Sequence, residues 1–259
     1  MSGVRRNGSR AGTGRLPRRT RQMDYPSQDL VCPDPTRCPV IKPAELGSVL
    51  HVEQIAEQTV LYRVYDGAWG YDEPNPGFGD ARFSPFDALS DGRRVPVRYV
   101  AQTPAGALLE TIFHDVHQSA ARIIYEGDLR RQLLAHLATP ARLNLVDLRD
   151  EALGDLGIRR DQLVSTSAEH YPCTRMIAQQ LHDAYVDRGA AQGFVWDSRQ
   201  AELHDSEPAL AMVIYTDSYN VGRGGWKRLG PGSQDLFQGP GRLLVDTIAN
   251  ALKATIVSQ

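Results

Sequence analysis

Two arginines, a tyrosine, a carboxylate and a hydroxyl stand in short, ordered patches of this 259-residue chain. The patches are Leu61-Tyr62-Arg63, Arg82-Phe83-Ser84-Pro85, Tyr99-Val100-Ala101 running into Ala107-Leu108-Leu109-Glu110-Thr111, and Trp196-Asp197-Ser198-Arg199. A guanidinium offers phosphate a planar fork of donors that an ammonium cannot imitate. Joined by a tyrosine, a carboxylate and a hydroxyl, such a pair suits a phosphate-bearing ligand. Arg63 lies inside the apolar run Val60 to Tyr65, where an unpaired charge is costly to bury. It either grips an anion or points outward along a half-exposed strand. Arg82 carries the same two readings. It follows a glycine-rich stretch, a setting in which backbone can approach a ligand closely.

Glu110 is the only acid between Asp91 and Asp115, and Leu108, Leu109, Ile112 and Phe113 surround it with apolar side chains. It is either a partly desolvated carboxylate or one placed favourably near a helix start by the macrodipole. His114, four residues on, shares its helical face, with a structural reading beside the catalytic one. Ser198 either hydrogen-bonds a ligand phosphate or ribose, or closes a strand-end turn. No Gly-x-Ser-x-Gly elbow surrounds it, so a hydrolase triad fits poorly. No Gly-x-Gly-x-x-Gly follows a strand, which argues against a Rossmann site. Cys32 and Cys38 flank Pro-Asp-Pro-Thr-Arg with no matching ligand pair downstream, so no metal is expected. With Cys173 they make an odd, sparse set that fits a reducing cytoplasm better than a disulfide framework.

These residues need elements to carry them. Thr59 to Tyr65 alternates apolar and polar residues with β-branched content and predicts a strand. Asp66 to Asp80, with four glycines and two prolines, predicts a long loop of the kind that carries function. Val95 to Ala101 predicts a second strand. Pro104 opens a predicted helix through Val116, with Glu110 in its first two turns. Arg122 to Tyr125 and Leu143 to Leu148 read as strands, with a helix from Asp128 between them. Pro172 starts a helix that ends before Gly189. Gly193 to Trp196 and Leu210 to Thr216 read as short buried strands. Val221 to Gly241, with seven glycines, reads as a flexible loop, and Leu244 to Ala254 as a closing helix. Strands and helices mix without regular alternation, which predicts an α+β fold.

The first 22 residues hold seven arginines and no acid, leaving 22 basic against 31 acidic residues in the rest. Residues 1–22 are expected to be a disordered tail, 23–45 an irregular arm, and 46–259 one catalytic domain containing the glycine-rich loop 221–241. The tail is a possible arm for nucleic acid. A solvated terminus, or translation from Met23, is the plainer reading. The acidic body lacks a stripe of interleaved basic and aromatic residues, so nucleic acid is not expected as a partner except through residues 1–22. No run approaches the ~20 apolar residues of a membrane helix, and no apolar stretch follows the charges to make a secretory signal. Trp69 and Trp226, in the two long loops, are expected to be exposed, either closing over a ligand, meeting a partner or packing their loops.

In order and spacing, across residues 59 to 216, the patches resemble the RES domain, a family named for its Arg, Glu and Ser. Two departures stand out: Asp80-Ala81-Arg82-Phe83-Ser84-Pro85 where the family usually has Gly-Gly-Arg-Phe-Asn-Pro, and Trp-Asp-Ser-Arg where Tyr-Pro-Ser is usual. The resemblance implies an ADP-ribosyltransferase-like fold, with mixed or antiparallel sheets forming a central cleft between flanking helices. It implies a cytoplasmic toxin that uses NAD+ as substrate rather than cofactor, as an NAD+ phosphorylase or glycohydrolase with phosphate as possible co-substrate. Under it Glu110, Arg63 and Ser198 are catalytic, and Tyr62, Arg63, Arg82, Tyr99 and Ser198 bind substrate. A helix-turn-helix antitoxin that blocks the cleft is the implied partner, alongside a possible homo-oligomer. The alternatives are an ADP-ribosyltransferase acting on a protein or small-molecule acceptor, and a nucleic-acid-binding module using the arginine-rich tail.

Overall fold

The computed structural model describes residues 30–42, 50–114, 116, 120–198, 209–215, 225–230 and 232–258. The arginine-rich stretch 1–22, Arg199 and residues 221–224 of the glycine-rich stretch lie outside the described residues. In chain order the elements are β1 (Val52–Ile55), β2 (Val60–Asp66), β3 (Val97–Ala101), α1 (Pro104–Leu109), β4 (Ile123–Tyr125) and α2 (Glu126–Leu129). Next come β5 (Gln132–Ala138), β6 (Leu143–Asp147), α3 (Asp150–Asp155), α4 (Tyr171–Leu181), β7 (Gly193–Asp197) and β8 (Leu210–Tyr215). Then follow β9 (Lys227–Arg228), β10 (Gln234–Asp235), α5 (Gly239–Ala251) and β11 (Thr255–Val257).

One nine-stranded sheet runs β1-β6-β7-β8-β3-β2-β5-β10, with β9 beside β5. Only β6 and β7 pair in parallel within it, so the sheet is mostly antiparallel with flanking helices, as an α+β fold requires. Its central strands are apolar on both faces because both faces are covered. On one side Val146, Phe194, Val213 and Tyr215 pack against Ile177, Ala178 and Leu181 of α4. On the other Val100, Leu145, Val195 and Ile214 pack with Leu61 and Trp226. Each fully buried Leu or Ile stabilises the sheet by roughly 1.5–3 kcal/mol before entropy is counted. Gly193 starts β7 because a Cβ there would stand 1.9 Å from the Val213 carbonyl oxygen of β8.

The sheet opens between β2 and β3. β2 pairs with β5 over seven residues, from Val60 opposite Ala138 to Asp66 opposite Gln132. It meets β3 only where Tyr62 faces Ala101. Past that pair the two strands diverge, and Asn75 takes the place of β2, exchanging two 2.8 Å backbone hydrogen bonds with Val97. The stretch 67–80 is therefore drawn into the gap, since backbone donors and acceptors along β3 need partners.

Three expectations are corrected. The helix begun at Pro104 ends at Leu109, with Glu110 as its C-cap rather than in its interior. The β-branched Thr111-Ile112 step disfavours continuation, and Thr111 Oγ1 turns back to donate to the Ala107 carbonyl at 2.7 Å. The helix expected from Asp128 is only Glu126–Leu129, and Gln132–Ala138 is a strand. Leu133, Leu134 and Leu137 favour a helix locally, but cross-strand pairing along the whole of β2 overrides that preference. Trp226 is 2 % exposed rather than a surface ring.

Candidate functional site

A cleft of about 700 Å³ lies at the opening between β2 and β3. Val64 and Asp66 of β2 form one wall and Val97 and Tyr99 of β3 the other, with Trp69 and Phe78 at the loop that covers it. Glu110 enters from the end of α1, and Arg82 from the turn that precedes Phe83.

Glu110 and Ser198 make the central pair. Ser198, the first residue after β7, is buried, and its Oγ donates to Glu110 Oε1 at 2.6 Å. The reading of Glu110 as a carboxylate favoured by a helix start fails, because it stands at the C-terminal end, where the dipole opposes negative charge. The serine hydrogen bond fixes the carboxylate's direction.

Arg82 is oriented from outside its own turn. Its Nη1 donates to Thr166 O at 3.0 Å and to Thr166 Oγ1 at 2.5 Å, and the guanidinium lies 5.0 Å from the centre of the Tyr171 ring. The Tyr171 hydroxyl is 3.1 Å from His114 Nε2, which brings His114 to the cleft lining with Thr111. The turn itself is held from behind. Arg175 Nε donates to Ala81 O at 2.8 Å and Ser84 O at 3.1 Å, while its terminal nitrogen pairs with Asp80. Thr174 Oγ1 donates to Arg82 O at 2.7 Å, and Tyr215 Oη to Phe83 O at 2.9 Å. Four backbone carbonyls of residues 81–84 are thus tied to α4 and β8, so Arg82 is presented on a stiff support.

Tyr99 stands on β3 with its hydroxyl 3.1 Å from Ser84 Oγ. Burial pushes its phenol well above the usual range, so it stays neutral. Arg63 borders the cleft but is 5 % exposed, and its Nη1 donates to the Tyr71 carbonyl at 2.6 Å. Desolvation pulls its guanidinium down to about 10, still protonated near neutrality. Arg98, on the face of β3 opposite Tyr99, does the same for the next residue: it donates to the Asp72 carbonyl and lies 4.7 Å over the Trp226 ring. Two buried arginines therefore anchor the covering loop.

The fold thus gathers Arg63, Arg82, Tyr99 and Glu110 around one cleft, with Ser198 reaching it through Glu110. Tyr62 is placed elsewhere: its side chain meets His136 edge-on at 4.7 Å and packs with the cluster under α1 and α5. Alternation along β2 puts it on the face away from Arg63. Sequence reasoning missed Ser84, Thr166, Tyr171 and Arg98. Arg175 had a readable signal, as a charge within the buried stripe of α4 beside Ile177.

A family model described as RES domain matches residues 60–219. A chain in the crystal structure of the M. tuberculosis MbcT-MbcA toxin-antitoxin complex aligns with 76% of this chain and 92% of its own length, at 16% sequence identity and a TM-score of 0.49. No curated protein matches.

Proposed function

Because the chain belongs to the RES domain family, we propose that it is a toxin that consumes NAD+ by breaking the bond between nicotinamide and ribose. The observation that carries this reading is the Glu110 carboxylate held by Ser198 at 2.6 Å inside a cleft that Arg82 also lines. Nicotinamide in NAD+ is already a cationic leaving group, so cleavage needs no general acid. It needs negative charge beside the oxocarbenium-like centre that develops at the ribose.

Glu110 supplies that charge and accepts the ribose 2′-hydroxyl, while Ser198 keeps the carboxylate aimed. The C1′–N bond breaks with its electron pair leaving on nicotinamide. An oxygen of phosphate or water then bonds to C1′, giving ADP-ribose 1-phosphate or ADP-ribose, and the proton of the attacking oxygen passes to solvent. Arg82 grips the pyrophosphate, Tyr99 packs its neutral ring on the ligand, and Arg63 adds positive charge at the wall while holding the loop through Tyr71. A mostly antiparallel sheet that opens into a cleft supports an ADP-ribosyltransferase-like assignment, with residues 46–259 as one catalytic domain. In this reading the protein works in the cytoplasm, held silent by a helix-turn-helix antitoxin covering the cleft.

The test is incubation of purified protein with NAD+, with and without phosphate, following nicotinamide by chromatography. Glu110→Gln should lower release by roughly a hundred- to a thousandfold, the usual effect of deleting one electrostatic group of a preorganised site. Phosphate dependence identifies the phosphorylase, and free ADP-ribose the glycohydrolase. Label transferred to a macromolecule would move the assignment to a transferase. No release from folded, inhibitor-free protein, or equal release by Glu110→Gln, overturns the reading.

A further inference from the structure

Three thiols converge at the start of α4. Cys32 and Cys38 come from the segment 30–42 and Cys173 from the first turn of the helix, and their Sγ atoms all lie within 4.8 Å of one another. His170, the residue before the helix, turns Nδ1 to 3.8 Å from Cys38 Sγ. A tetrahedral zinc with Zn–S bonds near 2.3 Å spaces its sulfurs about 3.8 Å apart, so small side-chain movements bring this set onto one ion. Three cysteines and a histidine are a donor set that structural zinc takes.

Three further features fit an ion. His170 is 7 % exposed, and its other ring nitrogen, Nε2, lies 3.6 Å from Glu169 Oε1. A carboxylate behind a ligating imidazole fixes the tautomer and strengthens the donor. The turn between Cys32 and Cys38 is already shaped: Asp34 Oδ1 accepts from Thr36 N at 3.1 Å, Thr36 Oγ1 at 2.7 Å and Arg37 N at 3.2 Å. Finally, a disulfide would join only two of the three thiols and give His170 no part.

We propose that Cys32, Cys38, Cys173 and His170 bind a zinc ion that staples the segment 30–42 to the beginning of α4. The sequence shows one cysteine pair and no second ligand pair, which predicts no metal. The fold supplies the other two donors from a helix start 132 residues beyond Cys38. The same helix start carries Tyr171, which lies against Arg82, and Thr174 and Arg175, which hold the turn bearing it. The ion therefore braces the cleft from behind without touching a ligand within it. Metal binding of this kind contributes directly to folding.

The experiment is metal analysis of the full chain, purified without a polyhistidine tag or chelator, followed by exchange with cobalt(II). About one zinc per chain is expected, and the cobalt form should show the visible absorption of a tetrahedral thiolate site. Cys38→Ser should lose the metal, while His170→Cys should keep it, because four cysteines are also a zinc set. A strong chelator should lower the melting temperature of the parent chain but not of Cys38→Ser. If a variant does not fold, zinc content and the cobalt spectrum of the parent chain decide alone. Less than about a tenth of a zinc per chain together with no tetrahedral cobalt bands overturns the proposal. So does undiminished zinc in Cys38→Ser, or a disulfide among these cysteines in the purified protein.

Discussion

At the scale of single residues, Glu110 and Ser198 act as a unit rather than as two contributors. Oε1 accepts a 2.6 Å hydrogen bond from a buried hydroxyl at the C-terminal end of a helix, where nothing in the local chain favours a carboxylate. Ser198→Ala removes a hydrogen bond to a charged group, about 1.5–3 kcal/mol, and should slow nicotinamide release roughly ten- to a hundredfold. In a double-mutant cycle with Glu110→Gln the two changes should fall short of additivity by at least about 0.5 kcal/mol. Additive losses would show that the serine works apart from the carboxylate. The arginines divide differently. Arg82 is half-buried and lines the cleft, whereas Arg63 and Arg98 are buried and donate to carbonyls of the covering loop. Identical side chains thus differ in setting: Arg63 and Arg98 are struts, while Arg82 is the one that the proposed function uses as a ligand grip.

At the scale of elements, the cleft exists because two strands part. β2 keeps all seven of its pairings with β5 and gives up all but one with β3. The side of β3 released in this way is taken by Asn75, and the loop that brings it is fastened at Tyr71 and Asp72 by Arg63 and Arg98. On the other side β3, β8 and β7 stay paired along their lengths, and Gly193 of β7 packs directly against the backbone of β8. Gly193→Ala forces a methyl to within 1.9 Å of the Val213 carbonyl oxygen, so two central strands must shift. Overpacking of this kind typically costs about 1–3 kcal/mol, which thermal unfolding should register as a lowered melting temperature. An unchanged melting temperature would mean that the two strands separate easily.

At the scale of the whole molecule, the charges are segregated. Past residue 22 acids outnumber bases by 31 to 22, yet Arg63, Arg82 and Arg175 converge on one cleft or its support. The basic residues 1–22 are the part of the chain suited to a polyanion, while the cleft mixes Arg63 and Arg82 with Asp66, Asp80 and Glu110. Deleting residues 1–22 should therefore leave nicotinamide release unchanged and abolish any salt-sensitive retention on DNA, measured by gel shift across a salt series. Lost turnover in the shortened chain would place the tail in the site. Among the described residues no helix is long and apolar enough to cross a membrane.

Much of this was readable along the chain. β-branched alternation located β2 to within two residues, β3 and the buried run of β8 were placed as closely, and Pro172 marked the start of α4. The family resemblance across residues 59 to 216 stands against a family match over 60–219. Those signals are local, arising from backbone preference and the period of burial, and a single sequence records them directly. Tertiary structure alone decided that Gln132–Ala138 is a strand, that β2 and β3 part, and that Glu110 ends a helix instead of beginning one. It alone brought Ser198 to Glu110 across 88 residues, and Cys173 and His170 to Cys38 across more than a hundred. Each of these depends on strand register and on which distant surface covers a given face, and no local preference of the chain carries that information.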